Sequence, residues 1–246
     1  MSFSHIRDQE VPIRLLRNVL RRGRLPNGLL FWGPGGVGKR MAALEMAKAV
    51  NCRERPDDAC DECLSCRKVA SGNHPDVKSV VPLNSSRTIG KDAVDEINEL
   101  AALRPYESDW RIFILHDADR MNLRAQNFFL KTLEEPPGQS MFILLTEFPR
   151  VLFPTIRSRC QMVRFRSLSP GTVVDLLQRD RDLPYDLAQS IAALSQGQMS
   201  RALDLLDSEK REIVLAVVQR LSEGADPLLL AEEIAKSFET RRRQIE

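Results

Sequence analysis

No run of apolar residues approaches membrane-spanning length, and the opening residues Met1 to Asp8 lack the apolar core of an export signal. A soluble cytoplasmic protein with reduced thiols is therefore expected. Charge of one sign is also missing: 36 Lys and Arg against 34 Asp and Glu leave a formal net charge of +2. That balance neither argues for nor excludes a nucleic-acid partner. Histidine is scarce, with only His5, His74 and His116, and no G-x-S-x-G surrounds Ser158. A hydrolase triad consequently has little support. Internal repeats and low-complexity tracts are absent. What the chain does have is core-forming material, 43% hydrophobic over 246 residues, enough for one or two domains.

Four of the five cysteines fall within fifteen residues. Cys52, Cys60, Cys63 and Cys66 follow the spacing C-x₇-C-x₂-C-x₂-C in a stretch that reads as loop. In a reducing compartment such density indicates metal rather than disulfide. Two C-x₂-C steps let four thiolates surround Zn²⁺ tetrahedrally, leaving no position for water, so the site is expected to be structural. The alternative is a set of unligated surface thiols. His74 lies nearby but is surplus as a ligand, and Cys160 is expected to be a small buried hydrophobe.

Patterning alternates strand and helix over the first two thirds. Helices are expected over 9–22, 41–50, 91–103 and 122–133, the last stopped by Pro136-Pro137. Strands are expected over 29–32, 77–81, 111–116, 142–146 and 161–166. The third and fourth are apolar on both faces, as buried parallel strands are. This is the pattern of a doubly wound α/β sheet. After Leu168 the strand signal stops. Ser169 is a plausible N-cap with Pro170 at the first helical position. Helical runs follow over 173–179, 187–195, 200–206, 210–221 and 228–237. The last stretch, Glu239 to Glu246, ends a helix without a cap, an ending that looks cut rather than finished.

The strand at 29–32 runs into Gly33-Pro34-Gly35-Gly36-Val37-Gly38-Lys39-Arg40 and then into a helix. This is the strand–loop–helix setting of a phosphate-binding loop, G-x-x-x-x-G-K, in which Gly33, Gly35, Gly36 and Gly38 expose backbone N–H donors and Lys39 adds charge. The next position ordinarily holds the Ser or Thr hydroxyl that ligates Mg²⁺. Arg40 stands there and cannot ligate a metal. Hydrolysis also needs acids at the end of a second strand. The strand at 111–116 ends in His116-Asp117-Ala118-Asp119, with His116 at the metal-carboxylate position and Asp117 at the water-polarising one. A one-residue slip would make Asp117 the ligand, and a plainer reading has Asp117 and Asp119 capping a turn. The arginines Arg14, Arg17, Arg21, Arg22 and Arg24 could track DNA phosphates, although a solvated helix face is the favoured reading.

With these elements in order, the chain resembles the clamp-loader branch of the AAA+ ATPases. The resemblance is carried by Gly33 to Lys39, by His74-Pro75-Asp76-Val77 after the cysteines, and by Leu130-Lys131-Thr132-Leu133-Glu134-Glu135-Pro136-Pro137. It is carried further by Ser158-Arg159-Cys160 and by Gly197 to Leu203. It covers residues 1–208 well. It implies an AAA+ P-loop domain over 1–167 with a zinc module at 52–66, a helical lid over 168–208, and the beginning of an incomplete helical collar over 209–246. It implies also a five-subunit assembly, with gamma/tau motor and delta subunits of DNA polymerase III, that places a sliding clamp on primed DNA as part of a DNA-directed DNA polymerase (nucleotidyltransferase) holoenzyme. Arg40, His116, and Ser200 where a motor's sensor arginine would fall are three departures in one catalytic apparatus. Arg201 is adjacent, but one helical residue turns it by about 100°. The implied member is a stator with weak or absent ATP binding and no ATPase of its own, which lends Arg159 to a neighbour's ATP. The alternative is a working motor ATPase.

Overall fold

The computed structural model describes residues 2–82 and 88–207, together with 215, 217, 219–224, 226 and 228. The helical runs expected over 210–221 and 228–237, and the collar over 209–246, lie for the most part outside the described residues.

Five parallel strands form one sheet: β1 (Gly28–Trp32), β2 (Val77–Val80), β3 (Arg111–Leu115), β4 (Ser140–Thr146) and β5 (Gln161–Arg164), in the order β2-β3-β4-β1-β5. Gly28 pairs with Phe142 and Leu30 with Met162, which puts β1 between β4 and β5. The side chains alternate with the two-residue period of extended backbone. Leu29, Phe31, Ile112, Ile114, Ile143 and Val163 enter one core, whereas Leu30, Phe113, Leu115, Phe142 and Leu144 enter the other.

The first core is covered by α1 (Glu10–Arg21), α2 (Lys39–Val50) and α3 (Leu64–Ala70), the second by α4 (Lys91–Ala102), α5 (Leu123–Glu134) and α6 (Pro154–Arg159). Helices on both faces make the sheet doubly wound. Val94, Ile97 and Ala101 of α4 are buried, with Leu100 packed at the margin. Phe142 stacks on Phe113 and meets the edge of Phe129, each pair of rings 5.4 Å apart. Each such fully buried side chain contributes roughly 1.5–3 kcal/mol by leaving water.

Local chemistry sets the boundaries. The Asn122 side chain accepts the Ala125 N–H at 2.8 Å and starts α5. Ser169 does the same for Thr172 at 3.2 Å, with Pro170 in the first turn of α7 (Pro170–Arg181). Two further helices, α8 (Tyr185–Ser195) and α9 (Met199–Asp204), complete a helical trio whose apolar residues join the first core. The fifth strand is shorter than the expected 161–166, although Phe165 still donates to Trp32 O at 2.8 Å. Two helices were not anticipated. One is α3, since the cysteine stretch is only partly loop. The other is α6, entered through Pro154 and too short to show an apolar period.

Candidate functional site

The phosphate loop leaves β1 at Gly33 and enters α2 at Lys39. Gly33, Gly36 and Gly38 adopt φ of +147°, +72° and +98°, values that L side chains rarely adopt. Lys39 folds back and donates from Nζ to the carbonyls of Gly33 and Pro34, both at 2.6 Å. Burial lowers its pKa, against the pull of Glu147, Asp117 and Asp119. Below the loop lies a cavity of about 530 Å³ whose walls include Gly36, Lys39, Arg40, His116, Asp117 and Glu147.

The structure places Arg40 and His116 on the wall of the same cavity. Burial and then the Arg40 charge push the His116 pKa down, which favours the neutral ring. His116 Nε2 is buried without a hydrogen-bond partner among the described residues. The turn-capping reading of the acids is corrected. Asp117 precedes the short turn Ala118–Arg120 with φ of +48° and makes no side-chain cap bond. Asp119 instead accepts a hydrogen bond from the Thr146 hydroxyl. Thr146 and Glu147 line the cavity and were not singled out in the sequence. Their only signal is position, at the end of the apolar strand beside β1.

The start of α9 closes over the loop. A methyl group added at Gly36 would collide with Ser200 N, and Met199 lies at 2.9 Å from that position. Ser200 is therefore seated against the phosphate loop. Arg201 donates to Gln196 Oε1 at 3.3 Å, away from the loop.

The four cysteines of the second candidate site also converge. The sulfurs of Cys52, Cys60, Cys63 and Cys66 all lie within 4.8 Å of one another and could hold a metal ion. Cys60 Sγ accepts the Cys63 N–H at 3.3 Å and Cys63 Sγ accepts the Cys66 N–H at 3.4 Å, so Cys63 caps α3. Chiefly through the Cys63 N–H, the Cys60 thiol is lowered to about 7, whereas burial raises that of Cys66. Cys160 lies apart and buried, its thiol pushed up to about 12 by burial.

Three attachments hold this module. Arg17 pairs with Asp58 at 2.6 Å and Arg21 with Asp57 at 2.8 Å. Those two arginines of α1 thus engage the cysteine module rather than forming a purely solvated face. Lys48, 3% exposed, bonds both Glu45 and Asp61 at 2.9 Å. The third attachment is His74. Its Nδ1 accepts the Asp76 N–H at 3.1 Å, and its Nε2 lies 3.1 Å from both Ser65 Oγ on α3 and Ser108 Oγ. Asp76 in turn accepts three backbone N–H groups, from Tyr106, Glu107 and Ser108, and pairs with Arg111 at 3.1 Å. Burial would raise its carboxyl, but these donors outweigh it and hold the group below the usual range.

Arg159, the proposed trans-acting residue, ends α6 on the far side of β1 from this module. Its guanidinium pairs with Glu134 Oε1 at 2.6 Å and donates to Thr155 O at 3.1 Å. Glu134 belongs to the L-K-T-L-E-E-P-P stretch, but nothing in the sequence marked it as the partner.

Residues 8–169 match the family described as DNA polymerase III, delta subunit. The chain is 34% identical over 217 residues to DNA polymerase III subunit delta' of Bacillus subtilis, covering 86% of this chain and 65% of that one. It is 31% identical over 245 residues to DNA polymerase III subunit tau of the same organism, covering 96% of this chain and 43% of that protein. A delta' subunit from Pseudomonas aeruginosa is 31% identical over 221 residues, with coverage of 88% and 67%. The chain thus spans about two thirds of the delta' relatives and under half of tau. Among solved structures, a gamma subunit-related protein from Thermotoga maritima superposes with a TM-score of 0.52 at 23% identity, covering 80% of this chain and 57% of that one. A RuvB from the same organism gives 0.53 at 15% identity, covering 89% and 64%. At those identities the two structures speak to the AAA+-like fold alone. Among the described residues no helix is long and apolar enough to cross a membrane.

Proposed function

The chain belongs to the DNA polymerase III delta-subunit family, and on that premise we propose that it is the delta-prime-type stator of a bacterial clamp loader. It would assemble in the cytoplasm with gamma/tau motor and delta subunits into a hetero-pentamer that loads a sliding clamp on primed DNA. The observation that carries this reading is that Arg40 and His116 both line the cavity under an otherwise regular phosphate loop. Neither group ligates Mg²⁺ as a hydroxyl and a carboxylate do. Without a held metal, charge developing on a transferred phosphoryl group is poorly neutralised. Gly33 to Lys39 still offer backbone donors, so nucleotide binding is weak or absent rather than chemically forbidden. In the same reading Arg159 supplies its forked donors to the terminal phosphate of a neighbour's ATP, the division 1–167, 168–208 and 209–246 is that of sheet domain, lid and collar, and the four cysteines hold one structural Zn²⁺.

Similarity to tau over nearly the whole of this chain favours a second reading, an active motor ATPase. One reconstitution separates the two. The purified chain is expected to show no ATP turnover. Assembled with motor and delta subunits, Arg159→Ala is expected to join the complex normally yet lower its DNA- and clamp-stimulated ATPase, by less than the roughly 10³–10⁵ that a supplied arginine is worth in GTPases. Turnover by the isolated chain that Lys39→Ala abolishes would establish the motor reading instead.

A further inference from the structure

Arg159 is held by two separable sets of contacts. Its backbone is fixed by apolar packing. Ile156, one turn earlier in α6, is fully buried, and Cys160 follows it into the same core. The fit there is tight: a methyl group on Gly28 would come within 2.7 Å of Cys160 Sγ and 3.1 Å of Leu133 Cδ2. The Arg159 side chain, by contrast, is 37% exposed, and its guanidinium is held by Glu134, whose side chain is 48% exposed, and by Thr155 O. An ion pair this exposed is weak. The head group can therefore change partners while α6 stays in place.

We propose that Glu134 is the resting partner of Arg159, an internal anion that occupies the guanidinium until a phosphate on a neighbouring subunit displaces it. This rests on the reading of Arg159 as a trans-acting arginine. A terminal phosphate carries more charge than a carboxylate and offers three acceptor oxygens, so it wins the fork when it arrives. Until then Glu134 competes with it for the guanidinium. Glu134 thereby sets the nucleotide level at which the neighbouring site fills, while the reaction rate at saturation depends on Arg159 itself.

The test uses the complete clamp loader reconstituted with wild-type chain, Glu134→Gln, Arg159→Ala and the double variant, with steady-state ATPase measured against ATP concentration. Glu134→Gln keeps size and polarity and removes the charge. It is expected to lower the half-saturating ATP concentration, by up to about fivefold given the strength of exposed pairs, with kcat unchanged. In the Arg159→Ala background the same substitution is expected to do nothing. If Arg159→Ala lowers the ATPase of the complex but Glu134→Gln leaves half-saturation unchanged or raises it, the resting-partner role is wrong and the trans-acting reading survives. If Arg159→Ala changes neither parameter, the trans-acting reading itself fails. A Glu134→Gln effect of equal size in both backgrounds would mean that Glu134 acts through structure, which also overturns the proposal.

Discussion

His74 shows how one residue can serve a site it does not belong to. With the Asp76 N–H donating to Nδ1 and two serine hydroxyls at Nε2, the neutral ring protonated on Nε2 satisfies the pocket. Burial lowers its pKa, with Glu107 and Asp76 pulling the other way. A histidine with a depressed folded-state pKa binds its proton more readily when unfolded, so its contribution is intact above the unfolded value of about 6.5 and is lost as pH falls below it. Stability is expected to decline below about pH 6.5 by up to ~1.4 kcal/mol per pH unit from this one group, until the folded ring itself protonates. Denaturant unfolding between pH 7.5 and 5 checks this. His74→Gln should flatten the profile by as much as one proton, and a profile that superimposes on the wild type would remove His74 as the cause. His116, also depressed by burial and by Arg40, adds its own slope, which survives in the variant.

At the level of elements, α3 depends on sulfur for its first turn. Cys63 caps the helix and Cys66 lies within it, while Val69 reaches the main core. One Zn²⁺ per chain is expected by elemental analysis, with Zn–S bonds near 2.3 Å. Stripping it with a strong chelator leaves thiolates crowded within a few ångströms, so amide exchange over 52–70 should accelerate and the melting temperature should fall by several degrees. The sheet should survive, because Arg17, Lys48 and Val69 anchor the module without the metal. A zinc-free preparation with unchanged melting and exchange would count against the metal. The elements that could be read from sequence are those with a clear period or punctuation. Apolar runs gave β3 and β4, Asn122 and Pro136-Pro137 bracketed α5, and Ser169-Pro170 opened α7. The short helices α3 and α6 escaped because six or seven residues hold too little period to register. The site divided likewise. Gly33 to Lys39, Arg40, His116 and the four cysteines could be found by spacing. Thr146, Glu147 and Glu134 could not, since they enter only when β4, β1, α5 and α6 are brought side by side.

Across the whole molecule, the junction between sheet and helical trio is fastened from several directions. Gln9, 1% exposed, uses its side-chain amide as a strand edge: Nε2 donates to Arg166 O at 2.8 Å and Oε1 accepts the Arg166 N–H at 3.0 Å. Asp8 accepts the Ser169 N–H at 2.7 Å, and Leu168 donates to Gly197 O at 2.9 Å. Gln9→Ala strands two backbone groups at once, and a loss of about 1–3 kcal/mol is expected from an unsatisfied buried polar group. Exchange should rise at 165–169 before the rest of the chain loosens. Hydrogen-exchange mass spectrometry would show this, and uniform protection in the variant would refute it. Rotating α7–α9 against the sheet would mean breaking the Gln9, Asp8 and Gly197 bonds together and lifting Ser200 off Gly36. Such a joint is a bracket rather than a hinge. A torque applied to the helical trio has these shared bonds to break before it can turn independently, so sheet and trio are expected to swing as one lever.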